Sequence, residues 1–148
     1  MSVDVEVSIT IGWSLAEVAD FASDPSNAPT WYRRISTATW RTEPPIRIGS
    51  QIDFEARFLG RELAYTYEIV ELVAGERLCM RTAEGPFPMT TEYTWRPDGD
   101  AATVMSLRKH GKPLGFSRIV APFVARAMRR ATTGDLAQLQ GILEARDN

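Results

Sequence analysis

The sequence predicts an α+β fold in which a curved, antiparallel, seven-stranded sheet wraps around one long C-terminal helix. Three observations predict it. Val3, Val5, Val7 and Ile9 alternate with Asp4, Glu6, Ser8 and Thr10, the period-two pattern of a strand with one wet face. From Ser36 to His110 the chain reads as six further strands, separated by turn signals at Pro44-Pro45, Gly49, Leu59-Gly60, Ala74-Gly75, Gly85-Pro86 and Asp98-Gly99. From Gly115 to Arg146 an apolar stripe at helical spacing runs through Phe116, Val120, Phe123, Met128, Leu136, Leu139, Ile142 and Leu143. A sheet with one apolar face and a single amphipathic helix bury both surfaces by packing on each other.

After the first strand, Ser14 stands three residues before Glu17, the spacing of a capping box. Leu15, Val18, Ala19 and Ala22 follow as the stripe of a short helix. Asp24-Pro25 ends that helix, and Asn27 to Arg33 forms a second one carrying Trp31 and Tyr32. A one-residue slip turns every side chain to the other face, so hairpin registers can be set by the apolar pattern. A two-residue loop at Leu59-Gly60 sets Ile52, Phe54 and Ala56 opposite Tyr67, Tyr65 and Leu63, and one at Ala74-Gly75 sets Ile69 opposite Met80. A two-residue loop at Glu84-Gly85 sets Met80 opposite Met89 and Thr82 opposite Phe87. A three-residue loop at Asp98 to Asp100 sets Tyr93, Trp95 and Thr91 opposite Met105, Thr103 and Leu107. In the final helix, Pro122 removes a hydrogen bond and presses on the carbonyl of Arg118, which predicts a bend, and Gly134 weakens the middle.

With 148 residues, 44% of them hydrophobic, the chain suits one domain spanning residues 1–148. Its net charge of −2 offers no global attraction for nucleic acid or an anionic bilayer. One cysteine, Cys79, and one histidine, His110, exclude an intrachain disulfide and a histidine-based metal cluster, and Gly111-Lys112-Pro113 lacks the glycine spacing of a phosphate loop. No metal and no cofactor is implied. The acidic N-terminus does not read as a signal peptide, and no stretch approaches the ~20 apolar residues of a membrane span. The expectation is a cytoplasmic protein with no integral membrane association.

Seven strands about 4.8 Å apart make a sheet roughly 30 Å wide, whereas a helix with its side chains is about 10–12 Å across. One helix leaves part of the concave face uncovered, so a cavity is expected. Large residues with inward parity would line it: Phe54, Phe58, Tyr65 and Tyr67 from the first hairpin, then Met80, Phe87 and Met89, then Tyr93, Trp95 and Met105. Trp31 from the second short helix and Phe116, Val120 and Phe123 from the last helix complete the candidate wall. Such a pocket is mainly apolar, with a few hydroxyls to orient a guest. The inward polar groups are Tyr65, Tyr67, Tyr93 and Thr82, with Arg61 and Lys109 near strand ends. No carboxylate or histidine takes inward parity, since Glu55, Arg57, Glu92, Arg108 and His110 all face out. His110, beside Lys109, Gly111 and Lys112, reads as a solvated loop residue, and Cys79 as structural. Arg33 and Arg34 could flank the mouth, and Arg118, Arg126, Arg129 and Arg130 form a basic stripe on the outer helix face.

The stretches W-S-L-A-E-V-A-D-F-A, D-P-S-N-A-P-T-W and Y-T-W-R-P-D-G-D-A-A-T-V, followed by the long helix, resemble the SRPBCC superfamily, also called START-like or polyketide cyclase/dehydrase and lipid transport proteins. The resemblance covers nearly the whole chain. It implies a helix-grip fold with an internal hydrophobic cavity, and guests such as lipids, sterols, polyketides, quinones or plant hormones. Three functions follow as candidates: a carrier that holds a hydrophobic small molecule, a polyketide cyclase/dehydrase using inward tyrosines, and a partner-binding module, including a homodimer.

Overall fold

The computed structural model describes residues 2–86, 88–112 and 121–147. Its elements are β1 (Val3–Ile11), α1 (Leu15–Ser23), α2 (Ala28–Trp31), β2 (Ile35–Trp40), β3 (Gln51–Phe58), β4 (Arg61–Val73), β5 (Arg77–Glu84), β6 (Met89–Pro97), β7 (Thr103–Gly111) and α3 (Ala121–Glu144). The seven strands form one antiparallel sheet in the order β1-β7-β6-β5-β4-β3-β2. This is the expected α+β helix-grip architecture, with a curled sheet around a C-terminal helix.

Each short helix follows from local chemistry. Ser14 takes the extended N-cap conformation before α1, but its side chain makes no capping bond, so the capping box expected with Glu17 does not form. The Asp24 side chain accepts a hydrogen bond from Ser26 N at 2.9 Å, which starts the turn at Pro25–Asn27, and α2 follows directly. The second helix thus ends at Trp31, short of the expected Arg33.

The β3–β4 hairpin has the predicted register, with Ile52, Phe54 and Ala56 opposite Tyr67, Tyr65 and Leu63. Leu59 (φ 50°) and Gly60 (φ 76°) both take the left-handed conformation that a two-residue hairpin turn requires. Ile69 pairs with Met80 as expected, but the two-residue loop at Ala74-Gly75 is corrected: Val73 pairs with Arg77 across a three-residue turn, and a register shift between Ile69 and Glu71 restores the pairing. The next two registers differ from expectation by two residues. Met80 pairs with Thr91, not Met89, because the β5–β6 connection is longer than Glu84-Gly85. There the Thr82 hydroxyl exchanges hydrogen bonds with the Met89 backbone. Tyr93 pairs with Leu107 and Trp95 with Met105, because the β6–β7 loop spans 98–102 and is closed by Asp98 N donating to Ala102 O. A shift of two keeps every side chain on its face, so the predicted inward parity survives the error.

The outer face carries an ion-pair chain across five strands. Glu71 pairs with Arg77 at 2.9 Å, Arg77 with Glu92, Glu92 with Arg108 at 3.3 Å, and Arg108 with Asp4 at 2.7 Å. His110 lies within β7, and its Nε2 is 3.1 Å from Glu92 Oε2. The expected loop position is therefore corrected. Cys79 is buried on this face, and burial pushes its thiol pKa up, with the nearby Glu92 charge adding to the effect.

On the concave face the core forms two clusters. The larger joins α1, α2 and the C-terminal half of α3, with Val18, Trp31, Leu136, Leu139 and Leu143 against Ile52, Leu78 and Met105. The smaller joins Val124 and Met128 to Val3 and Val5. Along α3, side chains cap the free edge of β1: Arg129 donates to Glu6 O, Gln140 donates to Thr10 O, and Glu144 accepts from Gly12 N. Covering an edge in this way removes a template for unwanted strand pairing. Arg129 is thus an edge cap, while Arg126 and Arg130 are exposed. The helix passes through Gly134 without a break. A Cβ there would meet Arg33 Nη1 at 3.3 Å, so the missing side chain lets Arg33 lie against the helix. Pro122 stands in the first described turn of α3, and Arg118, whose carbonyl it was expected to crowd, lies outside the described residues.

Candidate functional site

Between the two clusters the sheet and α3 stay apart, leaving a cavity of about 130 Å³. For scale, roughly 150 Å³ of apolar cavity accommodates a benzene ring. β3 and β4 supply Ala56, Phe58, Leu63, Tyr65 and Tyr67, and α3 supplies Val124, Met128, Ala131 and Asp135. Tyr32, Arg34 and Ile35 close the α2 side, and Thr82, Pro86, Met89 and Lys109 close the remainder.

Of the sequence-predicted wall, Phe58, Tyr65, Tyr67 and Met89 line this cavity. Phe54, Met80 and Tyr93 pack beside a separate void of about 10 Å³, room for about one water molecule. Trp31, Trp95 and Met105 are core residues that line neither space. Phe123 is 62% exposed and does not line the cavity, a correction to its expected place. Phe87, Phe116 and Val120 lie outside the described residues.

Aromatic contacts stiffen the wall. Phe54 stacks on Tyr65 with centroids 5.5 Å apart, Tyr65 tilts on Tyr67 at 5.0 Å, and Trp31 covers Tyr32 at 4.1 Å. Most polar tips are already occupied. Tyr67 shares a 3.0 Å hydrogen bond with Thr91, and Tyr32 shares one of 2.5 Å with Tyr93. Burial, aided by the neighbouring phenol, pushes the Tyr32 pKa well up. Burial likewise raises Tyr65, Tyr67 and Tyr93, so all four stay neutral hydrogen-bonding groups at ordinary pH.

Besides the exposed Arg34 and Arg57, two less exposed charged groups, Asp135 and Lys109, break the apolar lining. Asp135 is 2% exposed, contrary to the expectation that no carboxylate faces inward. Its helical phase held the signal: it lies seven residues after Met128 and four before Leu139, on the buried stripe. Arg33 N donates to Asp135 Oδ1 at 3.0 Å. Burial raises the Asp135 pKa, while Lys109, the Arg33 amide and the Arg33 and Arg34 charges pull it partly back. Lys109, half-buried on the concave face of β7, holds its Nζ 5.0 Å from the Tyr32 ring centroid. Burial lowers its pKa, and the Asp135 charge opposes that. Among the described residues the Lys109 ammonium and the Tyr65 hydroxyl make no hydrogen bond, so both are available to a guest. No group of three or more metal-ligating side chains occurs among the described residues, and no helix there is long and apolar enough to cross a membrane.

The raised Asp135 pKa gives a signed prediction. A carboxyl with a raised folded pKa contributes stability below its unfolded pKa near ~4, and that contribution is lost as pH rises through the folded value. Asp135→Asn keeps an acceptor for Arg33 N but carries no charge. Its melting temperature should exceed that of wild type at pH 8, with the advantage shrinking toward pH 4. An equal difference at both pH values in a thermal scan would show that ionisation of Asp135 is not the cause.

Comparison with solved structures supports the fold. The chain matches a START superfamily protein from Mycobacterium smegmatis with a TM-score of 0.82 at 14% identity, covering 96% of this chain and 97% of that one. It matches the Zhui aromatase/cyclase from Streptomyces sp. R1128 with a TM-score of 0.81 at 16% identity, covering 100% and 97%. A major latex-like protein from Panax ginseng follows at 0.75 and 11% identity, covering 96% and 97%. No curated protein matches the chain. Likenesses at such identities carry the fold, not the chemistry. The family model for polyketide cyclase/dehydrase and lipid transport proteins, however, matches residues 2–144, and the chain belongs to that family.

Proposed function

We propose that the chain binds a ring-bearing hydrophobic small molecule, polyketide-, quinone- or lipid-like, in the cavity between β3–β4 and α3, as a carrier or sequestering protein. The observation that carries this reading is the gap between the two core clusters, walled by Phe58, Tyr65, Tyr67 and Met89 and sized for one ring. Aromatic faces and thioethers supply adaptable contact, and Tyr65 supplies a hydroxyl, unbonded among the described residues, for an oxygen on the guest.

The test is a thermal-shift series over small aromatic alcohols and ketones, quinones and fatty acids, beside mass spectrometry of the denatured, freshly purified protein. A guest at 100 times its Kd stabilises the fold by about 2.7 kcal/mol, a rise of roughly 5–10 °C in Tm for a domain of this size. Tyr65→Phe should weaken oxygenated guests more than plain hydrocarbons. A Tm unmoved by every class, with no extracted molecule, would refute the reading.

A cyclase/dehydrase-type activity is the second reading, favoured by one observation. Lys109 and Asp135 put an amine and a carboxyl in one cavity, with burial moving their pKa values toward each other. That convergence suits proton transfer near neutral pH.

A further inference from the structure

Lys109 is set apart from the other cations of the chain. Of 17 basic residues, 15 are arginine and only Lys109 and Lys112 are lysine. Four of the arginines, Arg41, Arg57, Arg77 and Arg108, each bond a carboxylate. Lys109 has no hydrogen bond or ion pair among the described residues, lies inside the cavity, and rests over the face of Tyr32. An arginine there would supply the same charge with more donors, but a guanidinium is not a nucleophile near neutral pH, whereas a desolvated lysine amine is.

We propose that Lys109 captures an aldehyde or ketone group of the cavity's guest as a reversible imine. The proposal rests on the cavity-binding reading above and adds the guest's functional group to it. Lys109 Nζ, having released one proton to solvent, attacks the carbonyl carbon. A proton then passes from nitrogen to the former carbonyl oxygen, giving a carbinolamine. The carbon–oxygen bond breaks, water leaves, and the carbon–nitrogen double bond forms. No electrons are exchanged with a third party, and hydrolysis reverses every step.

The surroundings suit each stage. Burial lowers the Lys109 pKa, which enlarges the neutral fraction able to attack. Asp135 lines the same cavity and holds its proton to a higher pH than an exposed carboxyl, so it can protonate the departing hydroxyl and recover the proton afterwards. Phe58, Met89 and Met128 give the adduct's ring an apolar wall to rest on.

The full chain is incubated at pH 7 with benzaldehyde and sodium cyanoborohydride, and adducts are located by peptide mass mapping. Lys109 should be alkylated at least about tenfold faster than the exposed Lys112, as activation by desolvation requires. Benzyl alcohol, which has the ring but no carbonyl, should slow labelling of Lys109 without slowing Lys112. Lys109→Arg should lose the fast adduct; should that variant not fold, the wild-type site map decides. Labelling of Lys112 as fast as Lys109 would overturn the imine. If benzyl alcohol nevertheless raises the Tm, the cavity-binding reading stands; if it does not, both fall for this ring class.

Discussion

Replacing Gly111 by alanine is expected to lower stability by about 3 kcal/mol or more, among the largest effects of any single methyl group in this protein. Gly111 ends β7, where it pairs with Val3 on one side and Met89 on the other, at φ 155°, a conformation that favours glycine. A Cβ there would stand 2.3 Å from the Pro88 carbonyl oxygen and 2.9 Å from Met89 Cα. Both obstacles are backbone, so no rotamer change relieves them. Relief requires β6 and β7 to separate at the end that carries Met89 into the cavity wall, breaking the 3.0 Å bond from Lys112 N to Pro88 O. Urea denaturation should show a lower midpoint with an unchanged slope, and guest affinity should fall with it. A loss within ~0.5 kcal/mol would mean that the strand ends yield freely.

Truncating Trp31 tests the other side of the cavity. Trp31 is fully buried, tilted on Tyr32 and edge-on to Tyr93 at 5.8 Å, so it holds the phenol pair that borders Lys109. Loss of a buried tryptophan side chain ordinarily costs about 3–5 kcal/mol. Its indole nitrogen, however, is buried without a hydrogen-bond partner among the described residues, and removing an unsatisfied donor returns about 1–3 kcal/mol. Trp31→Ala should therefore fall near the lower end, at about 3 kcal/mol. Trp31→Phe keeps a ring and discards the orphan donor, so it should cost less than about 1.5 kcal/mol. Chemical denaturation of both variants separates the two contributions. A phenylalanine variant as unstable as the alanine one would show that the indole's shape, not merely an aromatic ring, supports Tyr32.

The sequence revealed more of the sheet than of the site, for a physical reason. Strand faces depend on parity alone, so Phe54, Met80, Tyr93 and Met105 keep their expected inward side although the β5–β6 and β6–β7 loops are two residues longer than expected. Loop length depends on turn geometry, and only Leu59-Gly60 signalled its own. Polar wall residues were harder to read. Lys109 has inward parity on its strand, but Asp135, being acidic, falls outside a helical stripe defined by apolar side chains. Asp135 sits on the same buried face as Met128 and Leu139. Phe123 shows the reverse failure: helical spacing and an apolar side chain placed it in the wall, and it is exposed. Which inward residues border empty space and which touch one another, as Trp95 and Met105 do within the core, follows from the curvature of the sheet, which one-dimensional patterning does not encode.

The strand order has a consequence for the protein's birth. β1 is made first, yet its partner β7 and the α3 side chains that cap its edge come from the last third of the chain. At roughly 5–20 residues per second, a ribosome adds the ~100 intervening residues in about 5–20 s. For that interval the nascent chain carries a β-prone segment with Val3, Val5 and Val7 on one side and nothing to pair with. Asp4 and Glu6, spaced between those valines, give neighbouring nascent chains a repulsive charge to overcome. When β7 finally emerges, Arg108 neutralises Asp4, and the charge that kept the strand solitary becomes a link of the closed sheet.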